Sequence, residues 1–253
     1  MDKTQKDAVK KYAKLAGLPR DKSLSSGRKD VDKGKDAHIW RDIESKLGFY
    51  ENCEVLDLGC GFGGLIDYCI ESSKKQSWKL TLFDIPEVIE ALFQNQTEHD
   101  MFGINTYSGI YPYEVDDKLL EKMFDRILLY SVLHYTDNPK ELLLKLAGQL
   151  RSGGRMLVGD LPNVNKKGRF LSSNYGKQFE AKYQNVKEEE LPVYVDQFDY
   201  VDKVLNQNKE INDNLIVWAM QEFRHQGYNV FVIPQPEELP YSLTREDVLI
   251  CKP

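Results

Sequence analysis

Val55-Leu56-Asp57-Leu58 passes without interruption into Gly59-Cys60-Gly61-Phe62-Gly63-Gly64, after which Leu65, Ile66, Tyr68 and Cys69 recur at helical spacing. A strand, a glycine turn and a helix in direct succession let a backbone approach a nucleotide closely, and the device belongs to parallel α/β sheets. Strand-like segments are expected at Glu54–Leu58, Lys79–Phe83, Gly103–Tyr107, Arg126–Tyr130 and Arg155–Gly159, with amphipathic helices at Glu87–Asn95 and Pro139–Leu150 between them. This alternation predicts a doubly wound, mostly parallel sheet. Gly153-Gly154 is expected to cap the helix that ends at Leu150.

The flanks read differently. Val9, Tyr12, Ala13, Leu15 and Ala16 form one apolar face of a first helix that stops near Gly17 and Pro19, and a polar connector, Asp21–Asp36, leads to a second helix, His38–Leu47. After Asp160 the alternation lapses into a polar Asn- and Lys-containing loop and then aromatic-rich, helical pieces containing Phe179, Tyr183, Tyr194, Phe198, Tyr200 and Val204. It resumes with a helix, Asn214–Gln226, and strands Tyr228–Ile233 and Asp247–Cys251 joined as an antiparallel hairpin. The expectation is one domain: a helical cap (1–48), a cofactor-binding core (49–160), a substrate-side insertion after strand 5 (161–213), and a last helix with the hairpin (214–253). The sheet would have seven strands in a Rossmann-like α/β fold.

A 253-residue chain that is 41% hydrophobic can bury one sizeable core. No run approaches the length of a spanning helix, and the charged N-terminus lacks a secretory apolar segment, so a cytoplasmic protein without a membrane partner is expected. Cys53, Cys60, Cys69 and Cys251 lack metal-ligand spacing, and neither a metal nor a disulfide is expected. The net charge of -6 argues against a nucleic-acid partner. It is unevenly spread, because the first 41 residues carry 12 Lys and Arg against 6 Asp. That segment reads either as a solvated helix pair or as a positive lid.

Gly59, Gly61 and Gly64 satisfy a dinucleotide pattern, which leaves a nicotinamide cofactor open. Asp57 weighs against it, since an acid at the end of the first strand suits a cationic ammonium group and repels a diphosphate. Asp84, at the end of the second strand, can accept hydrogen bonds from two ribose hydroxyls or cap the helix that begins at Pro86, with Ile85 beside the adenine.

LDLGCGFGG, LFDIPE and FDRILLYSVLHYTDNPKELLLKLAGQLRSGGRMLVGD, in that order, resemble the class I methyltransferases that use S-adenosylmethionine. The resemblance implies cofactor contacts from Asp57, Gly59, Cys60, Gly61, Gly63, Asp84 and Ile85. It also places Ser108, Gly109 and Ile110 by the adenine, and Tyr130 and Ser131 by the sulfonium. LHYTD resembles the LHxWxD stretch of small-molecule O-methyltransferases, which implies His134 as the base. A packed, hydrogen-bonded histidine is the competing reading.

On the acceptor side the expected residues are His38, Trp40, Arg41 and Tyr135, with Asp160, Asn163, Lys167 and Arg169 at the end of strand 5. With Lys166, the basic residues of this set suit a phosphate or carboxylate. DVDKGKDAHIWRDI and GDLPNVNKKGRFLSSNYGKQF are similar to methyltransferases of bacterial surface-polysaccharide pathways, including capsular phosphoramidate ones, which implies a phosphorylated or nucleotide-linked sugar acceptor. A small anionic acceptor and a monomer or homodimer are therefore expected. A nicotinamide-dependent sugar oxidoreductase and a noncatalytic S-adenosylmethionine-binding module stay open as alternatives.

Overall fold

In the computed structural model, residues 3–16, 34–196, 199–200 and 211–253 are described. Five strands, β1 (Glu54–Leu58), β2 (Lys79–Asp84), β3 (Asn105–Ser108), β4 (Phe124–Tyr130) and β5 (Leu150–Leu161), run parallel. β6 (Asn229–Pro234) and β7 (Glu246–Cys251) complete a seven-stranded sheet of order β3-β2-β1-β4-β5-β7-β6. β7 is antiparallel to both β5 and β6. The expected Rossmann-like sheet with its terminal hairpin is therefore the observed one.

Alternation along the strands sends successive side chains to opposite faces, so each strand feeds two apolar layers. Ile127 and Leu129 join Leu56, Met156 and Val158 on one face, under α5 (Pro139–Gly148) and α8 (Asp213–His225). Leu128 joins Val55, Leu80 and Leu157 on the other, under α2 (Asp36–Leu47) and α3 (Gly64–Lys75). Local chemistry sets the helix ends. The Asn138 side chain accepts from the Glu141 N–H with Pro139 at the first helical position of α5, and Gly48 ends α2 in the left-handed conformation.

Three expectations change. α5 stops at Gly148, and Gly153-Gly154 lies inside β5 rather than capping the helix. The buried Gln149 side chain explains the early stop: its Nε2 donates to the Leu119, Leu120 and Lys122 carbonyls at 2.6, 3.2 and 3.0 Å, while Leu150 already pairs with Phe124. The polar loop expected after Asp160 is instead helical, forming α6 (Val164–Ser172), while the aromatic-rich piece with Phe179 and Tyr183 is helical as expected, in α7 (Asn174–Gln184). Asn163 caps α6, its side chain accepting from the N–H groups of Asn165 and Lys166. Asp84 is not a helix cap, because the N-cap of α4 (Pro86–Asn95) is Ile85, without a side-chain bond. The first helix, α1, spans Lys3–Ala16 as its apolar face predicted. Most of the connector that follows it, and Phe198 and Val204, lie outside the described residues.

Candidate active site

The carboxyl ends of β1, β2, β4 and β5 surround a cavity of about 330 Å³. Its first wall is the glycine turn. Gly59 leaves β1 at φ +78°, with its N–H donating to the Phe83 carbonyl at 2.8 Å. A Cβ there would sit 2.3 Å from Val132, so only glycine lets the turn pass β4. Gly61, at φ +65°, is different: a Cβ would meet nothing within 4 Å, because the residue faces the open cavity. Cys60 and Gly63 line the same wall. Burial pushes the Cys60 thiol well above its ordinary range, which removes it as a nucleophile at neutral pH.

Asp84 ties this wall to β2. One carboxylate oxygen accepts from the Gly61 N–H at 2.9 Å and the other from the Ile85 N–H at 2.8 Å. Burial pushes its pKa up to about 6, against the pull of those two donors. Asp57 lies behind the lining, buried, and burial followed by the nearby Asp84 pushes it up to about 7. Two carboxylates held in a poorly solvated place favour a ligand that brings positive charge. Ile85, Gly109 and Ile110 extend the wall toward β3, whereas Ser108 is exposed and outside the lining.

The opposite wall has two left-handed residues at strand ends, Ser131 after β4 (φ 60°) and Asp160 in β5 (φ 58°). Non-glycine residues in this conformation are uncommon and cluster at functional sites. Tyr130, Ser131 and Asp160 all line the cavity. Asp160 pairs with Arg245, whose guanidinium lies 4.9 Å from the Tyr241 ring centroid. From α1, Tyr12 donates to the Tyr135 hydroxyl at 2.9 Å, and Lys11 lines the cavity beside it. Burial, with Tyr135 adjacent, raises the Tyr12 phenol.

The remaining expected residues fall elsewhere. His134 is not part of the lining; it packs behind Tyr135 with ring centroids 4.0 Å apart. Burial, then Arg245 and Lys11, lowers its pKa to about 3, so the imidazole is neutral at pH 7. Trp40 is core, stacked on Phe49 with its Nε1 donating to Ser72 Oγ at 2.9 Å, and His38 and Arg41 lie outside the lining. Asn163 is buried, donating to Asp213 at 2.7 Å and Glu246 at 2.6 Å. Arg169 pairs with Asp213, and Lys167 is exposed. The basic set after β5 therefore does not meet the cavity: Asn163 is consumed by capping α6 and tying down Asp213.

Lys11, Tyr12, Asp36, Tyr241 and Arg245 line the cavity without having been singled out from the sequence. Tyr12 carried a signal only as one position on an apolar helix face, and Arg245 sat in a Pro-rich stretch with no motif. Among the described residues, no cluster of His, Cys, Asp and Glu could hold a metal ion.

Fold and site together define a Rossmann-like α/β domain with a cavity at the carboxyl ends of its parallel strands. The glycine wall, the room beyond Gly61 and the two poorly solvated carboxylates fit a cationic nucleoside cofactor. Residues 56–156 match the family described as a methyltransferase domain. The chain is similar to the tRNA U34 carboxymethyltransferases of Pseudoalteromonas atlantica (25% identical over 122 residues, 48% of this chain) and Idiomarina loihiensis (24% over 119 residues, 47%). It spans 36% of the length of each of these relatives. Among solved structures, the plantazolicin methyltransferase BpumL, in complex with a pentazolic desmethylPZN analog and SAH, shares the fold over 100% of this chain and 99% of its own, with 16% identity and a TM-score of 0.55. Human N-acetylserotonin methyltransferase, in complex with SAM, does so over 98% and 65%, with 17% identity and a TM-score of 0.53.

Proposed function

We propose that this protein transfers a methyl group from S-adenosylmethionine to an oxygen or nitrogen of a small acceptor that carries a negative charge. The observation that carries the reading is the two-walled cavity: glycine turn and carboxylates on one side, Arg245, Lys11 and paired phenols on the other. Asp84 and the Gly59–Gly63 turn would hold the nucleoside, Asp57 would act behind them through its charge, and Tyr130 and Ser131 would stand near the sulfonium. The cofactor supplies an activated methyl group; the chain's own task is to align the acceptor with it and exclude water.

Arg245 and Lys11 support an anionic acceptor, taking over the role first assigned to the basic residues after β5. A phosphorylated or nucleotide-linked sugar, implied by the resemblance to surface-polysaccharide enzymes, meets this description, and so does a carboxylate-bearing ring compound. The relatives named for tRNA align over less than half of this chain, so their substrate is not carried over. His134 is our proposed base, acting from behind Tyr135 in its neutral form. The burial that keeps it neutral also weakens it as a base, so most of the rate is ascribed to positioning.

Calorimetric titration with S-adenosylhomocysteine and, separately, NAD tests the cofactor assignment. Micromolar binding of the first alone is expected, and binding of NAD alone would reassign Asp57 and Asp84 to a dehydrogenase site. An acceptor screen of matched anionic and neutral compounds then tests the charge requirement, with turnover confined to the anionic members expected.

A further inference from the structure

Behind the cavity sits a buried charged group that neither the glycine turn nor the phenol pair uses. Asp247, on β7, is fully buried between α2 and the end of β5. One of its carboxylate oxygens accepts from Lys46 Nζ at 2.7 Å, and Lys46 also pairs with Asp42 one turn earlier on α2. The other accepts from the backbone N–H of Asp160 at 2.8 Å and from Gln235 Nε2 at 3.0 Å. That Gln235 nitrogen also reaches the Tyr130 hydroxyl at 3.4 Å.

Three ionisable side chains buried together are a poor way to gain stability, since apolar residues of similar size commonly do as well or better. β7 is otherwise apolar through Val248, Leu249 and Ile250, so the sheet does not call for a carboxylate here. What the carboxylate reaches is the cavity wall. It holds the backbone of Asp160 in a left-handed conformation that side-chain-bearing residues rarely adopt, and Asp160 in turn pairs with Arg245. Through Gln235 it also restrains Tyr130. One buried oxygen therefore fixes two lining residues from different strands, and Lys46 offsets its charge.

We infer that Asp247 is a positioning residue for methyl transfer, setting the Tyr130 and Asp160 wall against which the sulfonium end of the cofactor and the acceptor are aligned. The inference rests on the cavity being the cofactor and acceptor site. Two double variants separate positioning from packing. Lys46→Met/Asp247→Asn and Lys46→Met/Asp247→Leu both remove the ion pair, but only the first keeps an oxygen to accept from Asp160 and Gln235. With S-adenosylhomocysteine and adenosine as calorimetric probes, the Asn form is expected to bind S-adenosylhomocysteine within about threefold of wild type and the Leu form about tenfold more weakly. Adenosine, held at the β2 and β3 end, is expected to bind both alike.

Equal S-adenosylhomocysteine affinity in the two forms overturns the positioning role, and so does a Leu form that loses both probes together. If the Leu form does not fold, Gln235→Met cuts the Tyr130 arm with the ions intact. It is expected to weaken S-adenosylhomocysteine about fivefold and leave adenosine unchanged, and wild-type affinity for both probes overturns the inference. Failure of the wild-type protein to bind S-adenosylhomocysteine at all overturns the proposed function itself, a result separate from any difference between variants.

Discussion

The carboxylate of Asp84 accepts a hydrogen bond from the Gly61 N–H at 2.9 Å, so the end of β2 fastens the turn that leaves β1. Each of its oxygens keeps a further lone pair, and the same carboxylate can therefore hold the turn and meet a ribose. Asp84→Ala removes both functions. Affinity for S-adenosylhomocysteine should fall by about 1–3 kcal/mol in a calorimetric titration. Undiminished affinity would leave Asp84 with a purely structural part in the turn.

Gly59 and Gly61 separate folding from binding within one turn. Gly59→Ala drives a methyl group into Val132 at a left-handed position and should lower stability by about 2 kcal/mol or more in urea unfolding. Gly61→Ala meets open space, so its cost should stay near 1 kcal/mol of backbone strain, while the new methyl group narrows the cavity and weakens S-adenosylhomocysteine at least about tenfold. A Gly61→Ala protein that binds like wild type would mean that the ligand does not approach this turn.

Asp57 and Asp84 give stability a definite pH dependence. Their folded-state values, about 7 and about 6, lie above the ordinary value of 3.8, so between these limits the folded protein holds protons that the unfolded chain releases. Their contribution to stability is therefore present below pH 3.8 and is lost as pH rises toward 7. Asp57→Asn removes the larger part of this loss. In thermal melts without ligand, the variant should gain on wild type by several degrees at pH 7.5 and little at pH 4.5. A gain of equal size at both values would show that the charge of Asp57 is not what costs stability.

Arg245→Met tests the acceptor side without touching the glycine wall. S-adenosylhomocysteine affinity should stay within about twofold, and KM for an anionic acceptor should rise at least tenfold, the scale of about 1.5–3 kcal/mol for a charged hydrogen bond. An unchanged KM would move the acceptor's charge to Lys11 or remove the requirement for it.

His134→Ala separates base from packing. Cofactor affinity should be kept and turnover should fall about a hundredfold if the imidazole accepts the proton. Near wild-type turnover would assign the reaction to positioning alone, in line with the weak basicity that burial imposes on His134.

The glycine-turn half of the cavity was legible in the sequence because it is built from consecutive residues. A strand, four glycines and an acid at the end of the next strand specify their own geometry, and β1 forms over Glu54–Leu58 as its pattern predicts. The order of elements, the terminal hairpin and both apolar layers follow from the same short-range periodicities, since alternation decides which face each strand residue takes. The opposite half of the cavity depends instead on residues far apart in the chain. Tyr12 meets Tyr135, 123 positions away, and Arg245 meets Asp160, 85 positions away. Neither residue carries a local signal for its partner, and the basic run after β5, which did carry one, is turned aside by a helix whose cap engages Asn163. Local chemistry thus determined the fold and the glycine turn, while only the packing of α1, β5 and the segment before β7 decided which charges face the cavity, because side-chain proximity across a sheet edge is a property of the folded chain.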